Sequence, residues 1–168
     1  IRREWSTILA TEVIFLAMFL LFVGYRAYDP AIEQTEKPMD FLFLNASTIA
    51  SYAPPADPWL DGFSVAYYYF RYWIFAAVGQ MAAVPTQVAF NLSIALIAGM
   101  AGAAIFSLVF NLVRIDGSGR LNGLLAGATG SVFLLVAANL MGLWEFGSLY
   151  KIGPTEFYDW LAVDGLER

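Results

Sequence analysis

Apolar and polar positions fall along this chain in long blocks rather than in short alternation. A bilayer-spanning helix needs about 20 mainly apolar residues, and four stretches can supply them. The first covers about 5–25 and carries one charge, Glu12. From 72 to 113 no charged residue occurs. That run is too long for one crossing, and Pro85 stands where a helix is expected to break, which predicts spans at about 62–84 and 86–113. The sequence Arg114-Ile115-Asp116-Gly117-Ser118-Gly119-Arg120 suits an exposed reversal, and a fourth span follows at about 121–143.

Two polar stretches separate and follow these spans. The acidic loop 26–61 holds, after Arg26 at its start, Asp29, Glu33, Glu36, Asp40, Asp57 and Asp61 against Lys37. Inside it, the apolar stretch 39–46 follows Pro38, as a helix with proline in its first turn would, and its shortness predicts a helix lying along the membrane interface. The segment Pro54-Pro55-Ala56-Asp57-Pro58-Trp59 favours an extended, stiff return. The tail 144–168 is again acidic and aromatic. The predicted fold class is therefore all-α integral membrane: one membrane domain over 1–168, with about four transmembrane helices and a short interfacial helix in the first loop. Ala98, Gly99, Gly102 and Ala103 in the third span and Gly123, Gly127 and Gly130 in the fourth predict close helix packing, within the chain before between copies.

Composition fixes the solvent. Of 168 residues, 60% are hydrophobic and only 14% charged, with a mean hydropathy of +0.63; so few charges cannot clothe a water-soluble core. With neither Cys nor His in the chain, disulfides, thiolate clusters, Ser/His/Asp triads and His-ligated metal or pigment are excluded within it. The net charge of −5 argues against nucleic acid as a partner, because phosphate binding demands a basic patch. Membrane lipids and other transmembrane subunits are the expected partners. Arg2 and Arg3 precede an apolar run without a small-residue cleavage site, so that run reads as a retained span. The chain opens on Ile1 rather than Met and reads as the N-terminal part of a longer protein.

Candidate chemistry gathers in the first loop and just beyond it. Glu36, Lys37 and Asp40 lie close together; Asp57 and Asp61 follow, and then Tyr67, Tyr68, Tyr69 and Arg71. Each admits a structural role as well. Asp40 can complement a helix N-terminus, Asp57 and Asp61 can fix turns, the tyrosines can form an interfacial aromatic belt, and Arg71 can snorkel to lipid phosphate. Glu12 is an intramembrane polar residue, costly in lipid and expected to find a polar partner in the bundle or its assembly.

Glu-Lys-Pro-Met-Asp-Phe at 36–41, then Asn45-Ala46, then Pro54-Pro55-Ala56-Asp57-Pro58-Trp59, then Tyr67-Tyr68-Tyr69-Phe70 resembles, in this order, the YYY family of uncharacterised multi-spanning membrane proteins of bacteria and archaea. Arg71 stands where that pattern would have a small residue. The YYY proteins are in turn similar in layout to GT-C glycosyltransferases. The resemblance implies a GT-C-like membrane glycosyltransferase in a bacterial or archaeal plasma membrane, using a polyprenyl-phosphate-linked sugar. In it Asp40 would be the base or a metal ligand, joined by Glu36 if a divalent metal takes part. Lys37, Arg71 and Tyr67, Tyr68 and Tyr69 would hold substrate and phosphate, with Glu36, Asp57 and Asp61 as supporting acids. It also implies a cytoplasmic N-terminus, which the even split of Lys and Arg between the two sides does not decide. The alternative is a structural or accessory transmembrane subunit of a larger complex, in contact with lipid or pigment and without catalysis of its own.

Overall fold

The computed structural model describes residues 5–138 and 140–161, and among them it is all-helical, with seven helices and no strand. Arg2, Arg3, Arg168, residue 139 in the expected fourth span and the end of the polar tail lie outside the described residues. The helices are α1 (Trp5–Tyr28), α2 (Lys37–Ile49), α3 (Tyr69–Met81), α4 (Thr86–Ile115), α5 (Arg120–Ala138), α6 (Leu140–Leu149) and α7 (Thr155–Leu161). Among the described residues α1 and α4 are the two long and apolar enough to cross a membrane. The chain groups into two compact units, one of Phe15–Ala101 and one of Ile1–Ile14 with Gly102–Arg168, where the sequence reads as a single domain.

The segment expected to span at 62–84 is not one long helix. Its helix, α3, has 13 residues, about 20 Å at 1.5 Å per residue and well short of a hydrocarbon core of about 30 Å. The chain before it is held in a small hairpin. Ala56 bridges Ser64 in antiparallel fashion, the Asp57 N–H donates to Phe63 O at 2.8 Å, and the Val65 N–H donates to Pro55 O at 2.9 Å. Tyr68 then takes a left-handed conformation (φ 32°), so a helix starts only at Tyr69. It stops at Met81, because Ala83 is again left-handed (φ 52°) and Pro85 cannot continue it.

In the unit of Phe15–Ala101, α2 and α3 lie side by side and run the same way. Asp40 meets Arg71 and Tyr72 near their starts, and Gln80 donates to Thr48 O at 2.6 Å near their ends. Phe43, Leu44, Val65, Tyr72, Ala76 and Phe90 form the buried core beneath them, so α4 supplies its floor. The helix expected along the interface at Pro38 to Ser47 is α2, with Pro38 in its first turn and Asp40 just behind. The end of α1 runs antiparallel to the start of α4. A Cβ on Gly99 would lie 3.0 Å from the Phe15 ring, and Arg26, buried at 4% exposure, joins the two helices. Its Nε donates to Asn91 Oδ1 at 2.7 Å and its terminal nitrogen to Ala31 O at 2.9 Å. Asn91 in turn donates to Pro30 O at 3.3 Å and Gln87 O at 3.1 Å.

In the other unit α5 lies antiparallel against the second half of α4, and the small residues do what their spacing predicts. Gly123 faces the Phe110 ring, Gly127 faces Phe106, and Gly130 faces Val109 and Ile105. The buried Ser131 donates to Gly102 O at 2.9 Å. Arg120 donates to Thr7 at 2.7 Å, which fixes the start of α5 against α1.

Candidate functional site

The strongest cluster of charge on a cleft is built by α2, α3 and α4. Asp40 sits in the first turn of α2, and Arg71 and Tyr72 sit in the first turn of α3. Because the two helices are parallel, their first turns coincide. Arg71 donates to Asp40 Oδ1 at 3.0 Å. The Tyr72 hydroxyl donates to the same oxygen and accepts a hydrogen bond from Arg71. The Arg71 guanidinium carbon also stands 4.5 Å from the centre of the Tyr72 ring, within range of a cation–π contact. Both donors meet Oδ1, and among the described residues none reaches Oδ2. Asp40 therefore keeps one oxygen for a ligand.

Tyr72 is the buried member of the trio, at 5% exposure. Burial, reinforced by the hydrogen bond to Asp40 and opposed by Arg71, pushes its phenol up to about 12, so it remains a donor throughout the physiological range. Partial burial works against the charge on Arg71. The hydrogen bond to Tyr72 and the pull of Tyr72 and Asp40 outweigh it, holding the guanidinium above its ordinary value.

These side chains border a cleft of about 150 Å³. Lys37, Asp40, Arg71 and Tyr72 give it a charged rim, while Leu44, Phe75, Phe90, Ile94 and Ile97 give it an apolar wall. α4 has 30 residues, about 45 Å, and the roughly 20 residues of a span counted back from Val113 reach Ile94. Residues 86–93 then stand beyond the hydrocarbon. Arg26 on α1, 21 residues after Trp5 or about 31 Å along the helix, meets Asn91 at the same level, as expected where a bilayer ends. With the span counted from Val113, the cleft would straddle that boundary.

The other expected residues lie elsewhere. Glu36 is exposed immediately before α2. Asp57 turns the hairpin tip, its Oδ1 accepting from the N–H groups of Trp59 at 2.8 Å and Leu60 at 3.0 Å, and Asp61 is exposed on that tip. Both acids sit in the turns that their spacing also suggested. Tyr67 stacks on Phe43 with ring centres 5.8 Å apart, Tyr68 is exposed at the helix start, and Tyr69 packs on the core. None of the three lines the cleft. Among the described residues no three of His, Cys, Asp and Glu gather as a metal site, so a divalent ion at Asp40 would draw its remaining ligands from water and substrate phosphate. Glu12 is exposed on α1 and has no hydrogen bond or ion pair among the described residues.

Sequence reasoning missed Tyr72 as a site residue, and the signal was present. Tyr69, Tyr72, Ala76 and Gly79 recur at helical spacing, and of the two phenols on that face Tyr72 is the buried one. It was hidden by reading the segment as a membrane span.

A family model described as uncharacterised membrane protein (DUF2298) matches residues 1–163. Neither a curated protein nor a solved structure matches the chain.

Proposed function

Because the chain belongs to this DUF2298 family of membrane proteins, we propose that it carries the outer-loop acid site of a GT-C-like glycosyltransferase whose donor is a sugar on a polyprenyl phosphate. The observation that supports this reading is the two-sided cleft: a rim of Lys37, Arg71, Asp40 and Tyr72 joined to an apolar wall of Phe90, Ile94 and Ile97 at the edge of the hydrocarbon. An anionic head on an apolar chain matches both sides.

In transfer, an acceptor hydroxyl forms a bond to the anomeric carbon while the bond from that carbon to the phosphate oxygen breaks. The hydroxyl proton passes to Asp40 Oδ2, the oxygen that Arg71 and Tyr72 leave open. The departing lipid phosphate keeps the electron pair, and Lys37 and Arg71 balance its charge. Tyr72 orients the carboxylate. No step requires Glu36, Asp57 or Asp61, and none is routed through a metal.

Asp40→Asn in the full-length protein tests the reading, with transfer followed from a labelled polyprenyl-phosphate sugar in native membranes. The expected result is a loss of about 10²–10⁴-fold at unchanged accumulation. Unchanged product excludes Asp40 as the base. A matching fall in accumulation assigns it instead to the start of α2.

A further inference from the structure

The charged cleft is not an isolated hollow. A second cavity, of about 190 Å³, is bordered by Phe19 of α1, Val78 of α3, and Leu92 and Leu96 of α4. Phe75 and Ser93 line both spaces, so the two meet at these side chains. All of them belong to the one compact unit of Phe15–Ala101.

The character of the second cavity limits what can fill it. Ser93 is the one polar side chain in its lining, and that hydroxyl donates to Ala89 O of its own helix at 2.6 Å. An ordered water needs two to four polar partners, which such a wall does not supply. A helix, about 10–12 Å across with its side chains, is too thick for this space. A flexible hydrocarbon chain is thin enough. The adjoining cleft provides the other half of the recognition, because Lys37 and Arg71 on its rim attract an anion. We propose that the second cavity takes the apolar chain of the amphiphile whose phosphate lies at Lys37 and Arg71. The chain bends at Phe75 and passes among α1, α3 and α4 instead of continuing over Ile97. Phe19, Val78 and Leu96 thereby become residues that select the chain. This proposal rests on the cleft as the seat of a lipid phosphate, and it is independent of Asp40 acting as a base.

The test uses farnesyl phosphate with a photoreactive diazirine at the end remote from the phosphate, bound to the full-length protein in nanodiscs. Mass spectrometry is expected to find the label on Phe19, Val78, Leu92 or Leu96. Val78→Trp, which narrows the cavity, should weaken farnesyl phosphate several-fold and leave unchanged the five-carbon dimethylallyl phosphate, whose chain is too short to leave the cleft. Lys37→Gln should weaken both. Capture that depends on Lys37 but labels Ile94 or Ile97 overturns the cavity and leaves the cleft reading standing. Capture indifferent to Lys37→Gln overturns the cleft reading and the proposal with it, as does no capture at all. A label on a segment outside Phe15–Ala101 also overturns the proposal, and so does an equal loss of both phosphates in Val78→Trp. If Val78→Trp fails to accumulate, Leu96→Phe replaces it, and the site of labelling in the unaltered protein decides without either.

Discussion

Two helix pairs in this protein solve the same packing problem with opposite materials. The second half of α4 meets α5 through glycines set against Phe106, Phe110 and Val109, with a single buried hydroxyl, Ser131, bonded across the seam. α2 meets α3 through Phe43 and Leu44, and also through Asp40, Arg71 and Tyr72. In lipid, where apolar surface gains nothing by leaving its surroundings, close backbone approach supplies the attraction and a small residue is the best side chain. At the α2–α3 seam a half-exposed ion pair adds at most about 1 kcal/mol, since solvent screens it. The first seam is built for cohesion. Charge at the second has to be explained by something other than stability.

That contrast can be broken most easily at Gly127. Its added Cβ would lie 2.8 Å from Phe106 O and from the Phe106 ring, so Gly127→Leu should separate α4 from α5. A cost of about 3 kcal/mol or more is expected, visible as a collapsed unfolding midpoint in lipid. Gly119, with nothing within 4 Å of its added Cβ, should accept Ala with little change.

Arg26→Met tests whether a buried charge can nonetheless be structural. It strands Asn91 Oδ1 and Ala31 O, and about 2–3 kcal/mol should be lost. Arg26→Lys should recover only part of this, because an ammonium cannot reproduce the guanidinium fork.

Tyr72→Phe keeps the ring on Phe43, 5.5 Å between centres, and removes the hydroxyl, so about 0.5–1.5 kcal/mol should go at neutral pH. The pH profile sharpens it. A phenol raised to about 12 from its ordinary 10.0 binds its proton more tightly in the folded state, so its stabilisation is complete below pH 10 and is lost as pH rises through 12. The alkaline loss should disappear in Tyr72→Phe when unfolding is followed at several pH values.

Smallest of all should be the effect of Asp40→Asn on stability, under about 1 kcal/mol by chemical denaturation. A larger loss would put cohesion before chemistry at this seam too and erase the contrast.

Much of the first seam was legible in the sequence and less of the second. Gly123, Gly127 and Gly130 announced α5 because their role depends only on spacing along one helix. Pro38 likewise marked the start of α2, and Asp40 stood out as an acid in its first turn. The grouping of Asp40 with Arg71 and Tyr72 was not readable, since it depends on α2 and α3 running parallel. That follows from the return through the hairpin Ala56–Ser64 and from the left-handed Tyr68, neither of which leaves a periodic trace. Apolar length misled at α3: its uncharged run continues directly into α4, and the share belonging to each helix is set by the backbone at Ala83 and Pro85. The pairing of Arg26 with Asn91 was not readable either, because nothing near Arg26 in sequence reveals a partner 65 residues away.

The surplus length of α4 couples the cleft to the thickness of the membrane around it. A helix of about 45 Å in a core of about 30 Å can tilt or slide at a cost of a fraction of a kcal/mol per Å. A thicker bilayer would bring hydrocarbon up past Ile94 toward Phe90 and the charged rim, and a thinner one would leave Ile97 and its neighbours wet. The depth at which an amphiphile meets Lys37 and Arg71 is thereby a property of the host membrane as well as of the fold, and hydrophobic mismatch becomes a means of tuning occupancy without changing a residue.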